Sequence, residues 1–299
     1  MSVKILSYCL TFILFLSAFT VGSAQIQVKV ITKTIERSFD YQAGDALLIR
    51  GEKSSIAVNT WEKNAVKVTL KLIAKAVLSE VARKELEYQK YTMNKRKNII
   101  NLANQLEFPN NVKELQAILL VEYEIWVPAS IQLTINNEYG NIDISGIYGK
   151  HIVTNKFGNI TLNHVGGTGK IESYFGDFTS KNFSGNHTLD FNKTKTTIDH
   201  LSGILSINSR LGDITISNVQ RQAALNIEAD KSDINLEVLA NWDEFQIKLK
   251  SNFGKIKVPH HLTGKMDQKN NVSSWRYLGN GKSRINAETS FGVISLSVK

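Results

Sequence analysis

A step of eighteen residues runs through the second half of the chain and restricts its possible folds more than any other feature. NEYGNIDISGI, NKFGNITLNHV and SYFGDFTSKNF begin at Asn137, Asn155 and Ser173, and the aromatic residue in each is followed by glycine and then by Asn or Asp. The register continues through Lys193 and Leu211, then by longer steps to Lys231, Phe253 and Phe291. Behind each turn signal come apolar residues two apart: Ile142, Ile160, Phe178, Ile214 and Ile234, then Ile144, Leu162, Ile198, Ile216 and Leu236. Alternation by two inside a longer fixed period means strands stacked rung upon rung. A second glycine column, Gly149, Gly167, Gly185 and Gly203, lies nine residues after the first, so each rung has two turns and two strands. The opposite strand supplies Val153, Ile171, Leu189, Ile207, Ile227 and Leu249 to the core. The expected fold is mainly β: a single-stranded parallel β-solenoid of about 18–22 residues per rung, with two strands in each. A three-sided left-handed helix would need an apolar residue at every sixth position, and Asn159, Asp177, Lys195 and Asp213 break that pattern.

Turn chemistry accounts for the small and polar residues. Glycine reaches left-handed backbone angles without strain, and short polar side chains bond to a turn backbone. Strand parity counted through the turn puts Phe157 and Phe175 on the same face as Ile171 and Leu189, which predicts a buried aromatic column. Phe157→Asp is then expected to unfold the chain, and the motif reads as architectural.

Residues 1–24 hold one charge, Lys4, an uncharged run from Ile5 to Phe19, and the small residues Gly22, Ser23 and Ala24. This is the layout of a secretory signal peptide cleaved before Gln25; retention as an anchor is the alternative, though the apolar run is short for a span. Cys9 is the only cysteine, so a cleaved chain has none, and export without disulfides points to an extracytoplasmic protein of the bacterial envelope, in the periplasm or at the cell surface. Loss of Lys4 leaves 35 basic against 27 acidic residues. That excess suits anionic polymers, phospholipid or lipopolysaccharide, while the scattered lysines equally suit ordinary solvated strand faces.

Residues 25–138 read as a β-rich capping region, and 139–299 as the repeat region. Ala65–Ile73 alternates as a strand, Ser79–Gln89 has helical spacing with Ser79 placed to cap it, and Lys95-Arg96-Lys97 falls at a turn. A solenoid needs covered ends because a bare sheet edge invites uncontrolled pairing.

FDYQAGDALLI, TWEKNAVKVTLKL, a short helix, IWVPASIQLTINNEYGNIDISGI and the successive aromatic-Gly-Asn/Asp-Ile rungs resemble the bacterial putative-adhesin family of β-strand-repeat proteins of unknown function. The likeness runs from about Glu36 to Lys299, and its most specific piece is Val127–Ile142. It implies a fold and carries no established catalytic residues. The sequence departs from the family pattern at Lys193-Thr194-Lys195 and Lys231-Ser232, where a bulge or a basic patch is expected.

No residue is assigned a catalytic, cofactor-binding or metal-binding role, and no cofactor is expected. His164 and His200 share a column two rungs apart, as do His151 and His187; two rungs are about 9.6 Å at ~4.8 Å each, too far for one zinc. His260-His261 after Pro259 reads as an exposed loop pair. Asn141, Asn159, Asp177, Asp213 and Asp233 read as a turn-stabilising ladder, with calcium binding the alternative. The outward column Asp143, Thr161, Thr179, Thr197, Thr215 and Asn235 is a flat polar strip better suited to holding a polymer than to cleaving it. No nucleophile elbow, phosphate loop or zinc-protease helix is present in the sequence. The expected function is a non-catalytic binding or adhesion scaffold for a glycan, an anionic envelope polymer or a protein, with no nucleic acid. The alternatives are a periplasmic accessory in envelope signalling and a polysaccharide-active β-helix enzyme. SFGVISLSVK at the C-terminus is expected to form an uncovered rung, open to weak self-association by strand addition.

Overall fold

The structure is a computed structural model and describes residues 27–239 and 242–299; the expected signal peptide and the cleavage point expected before Gln25 lie outside them. Strands and one short helix follow the alternating pattern closely. The N-terminal part contains β1 (Lys29–Asp40), β2 (Ala46–Glu52), β3 (Ser54–Thr60), β4 (Ala65–Ala76), helix α1 (Ser79–Leu86), β5 (Gln89–Arg96), β6 (Ile99–Leu106) and β7 (Ile118–Val127). The central rungs are built from β8 (Gln132–Glu138), β9 (Ile142–Ser145), β10 (Lys150–Asn155), β11 (Ile160–Val165), β12 (Thr168–Phe183), β13 (Asn186–Leu201), β14 (Ile204–Arg210), β15 (Ile214–Val219), β16 (Ala224–Asp230) and β17 (Ile234–Val238). The chain finishes with β18 (Phe245–Asn252), β19 (Ile256–Lys257), β20 (Lys265–Lys269), β21 (Val272–Leu278), β22 (Ser283–Ser290) and β23 (Ile294–Val298).

Two parallel ladders face one another. The first runs through β8, β10, the first half of β12 and of β13, β14 and β16; the second runs through β9, β11, the second halves of β12 and β13, β15 and β17. Partners in β10, β12, β13 and β14 differ by eighteen, as in Val153↔Ile171, Ile171↔Leu189 and Leu189↔Ile207. The inward columns close the core between the ladders, with Ile142, Ile160, Phe178, Ile214 and Ile234 from one side and Val153, Ile171, Leu189 and Ile207 from the other, none of them solvent-exposed. Each fully buried aliphatic side chain contributes about 1.5–3 kcal/mol relative to exposure. That gain is repeated from rung to rung along the stack.

The parallel ladder begins earlier than the sequence motif. β2 pairs with β8, and β3 with β9, so Ala46–Thr60 already forms a complete rung. The boundary expected at Tyr139 marks where the eighteen-residue period becomes regular, not where stacking starts. β6 and β7 then lie on the outer side of β2 and β3. β4 and β1 extend the second ladder antiparallel from β7, β5 extends the first from β6, and α1 packs on β4 and β1. The helix begins after Leu78, whose backbone is extended, and no side chain caps it, so the expected Ser79 cap is not formed. Lys97, at φ 53°, occupies the β5–β6 turn as expected.

The other end corrects the expectation for the C-terminus. β22 pairs with β16 on one side and with β18 on the other, and β23 pairs with β17 and, through Ile294 and Ser295, with β19. The final rung in sequence is therefore inserted beneath the penultimate one. Leu296 is buried, and the outer layer on the first ladder is the antiparallel β21 followed by the fully exposed β20. Lys265, Asp267 and Lys269 place charge on this last strand, one of the devices by which sheets discourage edge pairing. The uncovered terminal rung proposed as a route to self-association does not exist in that form.

Candidate functional site: an exposed ridge along one corner

The corner between the two ladders brings the aromatic column together, and on the surface. Tyr139, Phe157 and Phe175 are 51%, 39% and 45% exposed, and Phe291 and Phe253 more so. This overturns the buried placement of Phe157 and Phe175. Parity fails because Tyr139, Phe175, Lys193, Leu211, Lys231, Phe253 and Phe291 adopt left-handed angles, with φ between 51° and 62°, and at the Phe157 rung the positive angle falls on Gly158, at φ 135°. A left-handed residue rotates the chain so that two successive side chains, such as Tyr174 and Phe175, both point outward.

The glycine that follows has the expected positive angle only at Gly140 and Gly158, at φ 151° and 135°. Gly176, Gly212, Gly254 and Gly292 do not have left-handed angles, whereas the residues before them do. What these glycines permit is close stacking: a Cβ on Gly158 would lie 2.1 Å from the Gly140 carbonyl oxygen, and one on Gly176 2.2 Å from that of Gly158. The same column continues through Ser54, Thr194 and Ser232, which are buried and turn their hydroxyls to backbone carbonyls. Thr194 thus fills the place of glycine without a bulge, and β13 runs through the corner unbroken. The register shift lies instead between Ile216 and Val219.

From Lys53 the ridge climbs through Tyr139, Phe157, Phe175, Lys193, Leu211, Lys231 and Phe291 to Phe253, roughly 38 Å at ~4.8 Å per rung. Tyr139 and Phe157 stack with centroids 4.8 Å apart and planes 5° apart, Phe157 and Phe175 at 5.1 Å and 12°, and Phe291 and Phe253 at 4.9 Å and 6°. Lys193 Nζ sits 4.8 Å from the Phe175 ring centroid and closes that face. Both faces of Phe157 and of Phe175 are therefore used within the ladder, and their ring edges are left to solvent. A pyranose ring needs an open aromatic face, so this ridge suits contact along its length better than flat sugar stacking. At its foot Tyr139, Lys53, Leu115, Leu119 and Val121 line a mostly apolar hollow of about 480 Å³.

Each left-handed non-glycine residue costs about 1–2 kcal/mol. Ring stacking at about 0.5–1.5 kcal/mol per pair offsets part of this. The Asn/Asp column offsets more: Asn141 Oδ1 accepts the Asn159 backbone N–H at 3.0 Å, Asn159 Oδ1 that of Asp177 at 3.0 Å, Asp213 Oδ1 that of Asp233 at 3.1 Å, and Asp233 Oδ1 that of Val293 at 2.8 Å. The turn-stabilising ladder read from the sequence is thus formed. Lys156 pairs with Glu138 beside the ridge, and that carboxylate raises the lysine's pKa. Phe157→Ser should consequently leave the fold intact and lower the melting temperature by only a few degrees, the loss of two stacking contacts; a thermal melt followed by circular dichroism checks it.

The histidines separate into three situations. His164 and His200 alternate with Gly146, Asn182 and Asn218 at a second left-handed corner, with φ 52° and 58°. Asn182 Nδ2 donates to His164 Nε2 at 3.0 Å, and His200 Nδ1 lies 2.9 Å from Asp199 Oδ2. His260 and His261 are in the turn after Pro259, His261 against Trp242 at 6.4 Å. His151 and His187 correct the distance argument: their Nε2 atoms are 3.2 Å apart, both side chains buried. The intervening rung carries Gly169, and a Cβ there would lie 2.1 Å from His151 Nε2, so the rings lean into the vacant space and meet. His151 Nδ1 donates to the Gly149 carbonyl at 3.1 Å, and its Nε2 faces that of His187. Burial, and for His187 also the neighbouring His151, pushes both pKa values down, His187 to about 3. The column Leu133, His151, Gly169, His187, Leu205 was visible in the sequence; the consequence of its glycine was not. The threonine column is in register across β9, β11, β12, β13, β15 and β17 on the outer face, as expected.

Among solved structures the chain is similar to a putative adhesin from Bacteroides fragilis (9% identity, 88% of this chain and 97% of that one, TM-score 0.45). It is also similar to a putative cell adhesion protein from Clostridium sporogenes (11% identity, 90% and 100%, TM-score 0.27) and to a putative lipid binding protein from Parabacteroides distasonis (9% identity, 88% and 96%, TM-score 0.32). No curated protein matches it. The family model described as Toastrack DUF4097 matches residues 22–297, the whole of the stack with both of its covered ends, and the chain belongs to that family.

Proposed function

We propose that the protein is a non-catalytic extracytoplasmic binding scaffold, and that the corner ridge is its contact surface for an envelope polymer, a glycan or a protein. The observation that supports this reading is the ridge itself. Large apolar side chains stand exposed at backbone positions where glycine or asparagine would cost less. Stacking recovers part of that cost, yet it does not require the rings to face solvent as one continuous line with lysines at intervals. Such a line gives a partner a long apolar strip and fixed cationic points, with little ordering left to be done on binding.

The test compares the parent with Tyr139→Ser/Phe157→Ser/Phe175→Ser on a glycan array, on peptidoglycan and lipopolysaccharide, and in a reducing-end release assay. Binding that falls at least tenfold in the folded variant supports the ridge as contact surface. Binding that is unchanged sinks the assignment to the ridge, and release with turnover sinks the non-catalytic reading.

A further inference from the structure

The outer face of the first ladder ends, away from the N-terminal layer, in a row of nitrogen donors. The register places Asn226, Asn286, Lys248, Arg276 and Lys265 side by side on β16, β22, β18, β21 and β20. The first four point outward, because Leu225, Ile285, Ile247 and Trp275 beside them are buried, and pairing with Arg276 puts Lys265 on the same face. Lys248 faces Arg276, and Arg276 faces Lys265, in antiparallel pairs, where like charges directly opposite cost stability. Nearer the middle of the stack the same column shows the ordinary arrangement: Lys170 bonds Glu172 at 2.7 Å and lies 3.3 Å from Asp190. Among the described residues no carboxylate pairs with Lys248, Arg276 or Lys265, and the Asn226 and Asn286 amides make no hydrogen bond. The next row does hold the carboxylates Glu228, Glu288 and Asp267, and there Glu288 is taken by Lys250 at 2.6 Å. Edge protection accounts for a lysine on β20, the outermost strand. It does not account for Arg276 or Lys248, whose strands are paired on both sides.

Asn226, Asn286, Lys248 and Arg276 also stand around a hollow of about 390 Å³, so amide and cationic donors share one space. From Asn226 to Lys265 the row covers four strand spacings, about 19 Å at ~4.8 Å each, and it runs along the stack. A small anion would occupy one or two of these positions, whereas the whole row matches an extended chain carrying anions at intervals. Donors on neighbouring strands can share one anion only if its oxygens point in several directions. A tetrahedral phosphate does this, while a carboxylate offers two oxygens in one plane. No aromatic side chain belongs to the row, so bases would have nothing to stack on, and the chain that fits is a glycan rather than a single-stranded nucleic acid. We infer that this strip, from Asn226 to Lys265, binds a phosphorylated glycan whose phosphates seat between neighbouring strands. It is a contact surface separate from the corner ridge, and a repulsion that folding does not require becomes useful once the anion is bound.

The test compares the purified parent with Lys248→Gln/Arg276→Gln/Lys265→Gln by biolayer interferometry at several salt concentrations. The probes are lipopolysaccharide, which carries phosphate monoesters, lipoteichoic acid, which carries diesters, and lipopolysaccharide dephosphorylated with hydrogen fluoride. At least one phosphorylated polymer should bind the parent, and the one that does identifies the source of the phosphate. Dephosphorylation should weaken binding of lipopolysaccharide at least tenfold if that is the polymer bound. The triple variant should lose at least tenfold in affinity and show a shallower salt dependence. It should also melt no lower than the parent, since a repulsion has been removed. Lys67→Gln/Lys71→Gln/Lys75→Gln makes the same change of charge on β4 and should leave the affinity unchanged. Absence of binding to either phosphorylated polymer, or indifference to the row, would overturn the proposal. Equal loss in the β4 variant would reduce the effect to net charge and overturn it too. Equal affinity for polygalacturonate would replace phosphate by carboxylate, and equal affinity for a single-stranded oligonucleotide would replace the glycan. A triple variant that melts well below the parent would make the row structural. The serine variant of the ridge addresses a different surface, so failure here leaves the ridge reading to its own assay.

Discussion

Removing Ser283–Lys299 will prevent the chain from reaching its native fold rather than shorten it by one rung. β22 and β23 occupy the layer between β16/β17 and β18/β19, so their loss takes out an interior layer and leaves β18 without its parallel neighbour. Ile285, Ile294 and Leu296 are buried, and truncating one such side chain to alanine costs about 2–5 kcal/mol. Their combined loss is comparable with the whole stability of a domain, about 5–15 kcal/mol. A milder variant makes the same point. Leu296→Pro removes a ladder donor and a buried side chain together, and it should lower the unfolding free energy by about 3 kcal/mol or more. Urea titration followed by circular dichroism reads both. If the truncated chain unfolds cooperatively at the parent's midpoint, the inserted order of the last two rungs is wrong. The layout also carries a kinetic consequence: β18 is made before the strand that joins it to the stack, so this end closes only after the full chain is available.

Acid will destabilise the protein well above the range in which its carboxylates titrate. His187 is held at about 3 and His151 is also held below its ordinary 6.5, chiefly because burial penalises the imidazolium. In the unfolded chain both take up protons near 6.5. Between that value and the lowered one the unfolded state binds more protons, so stability is complete above about pH 6.5 and declines as pH falls. One pKa unit corresponds to about 1.4 kcal/mol, so His187 by itself should remove about 2–3 kcal/mol between pH 6.5 and pH 4.5. Asp45, held down by its hydrogen bond to Lys95, and Asp199, held down by Asn218, act in the same direction but only below the ordinary carboxylate value of 3.8. The window from pH 6.5 to pH 4 therefore isolates the histidines. His151→Leu/His187→Leu, which gives the column the residue found at Leu133 and Leu205, should flatten the urea midpoint across that window. A parent whose midpoint does not move between pH 7 and pH 4.5 would mean that the pair accepts a proton where it stands.

The two histidines and the aromatic ridge show where reading by period stopped. Inward columns such as Ile142–Ile160–Phe178 and Val153–Ile171–Leu189 followed from alternation alone, because a side chain in a strand has only two directions. The Asn/Asp column was legible for the same reason: a residue type recurring at a turn reports the backbone it must satisfy. The ridge was misplaced because parity holds only while successive residues stay extended, and the left-handed angle at Phe175 resets it. The histidine contact was missed because a distance counted in rungs assumes that every rung has a side chain, and Gly169 has none.

The sequence by itself determined the local and the periodic: two strands and two turns per rung, which columns within the strands face inward, the turn residues, and the family likeness. Those features depend on neighbours along the chain or on an equivalent residue eighteen positions away, so the pattern carries them. Only the tertiary structure decided that β2/β3 and β22/β23 lie inside β6/β7 and β18/β19, that the aromatic column is a surface ridge, and that Lys248, Arg276 and Lys265 meet in one row. These depend on pairings between segments of irregular separation, whose free energy comes from burial of whole layers. No periodicity in the chain encodes which of two equally apolar strands will sit on the inside.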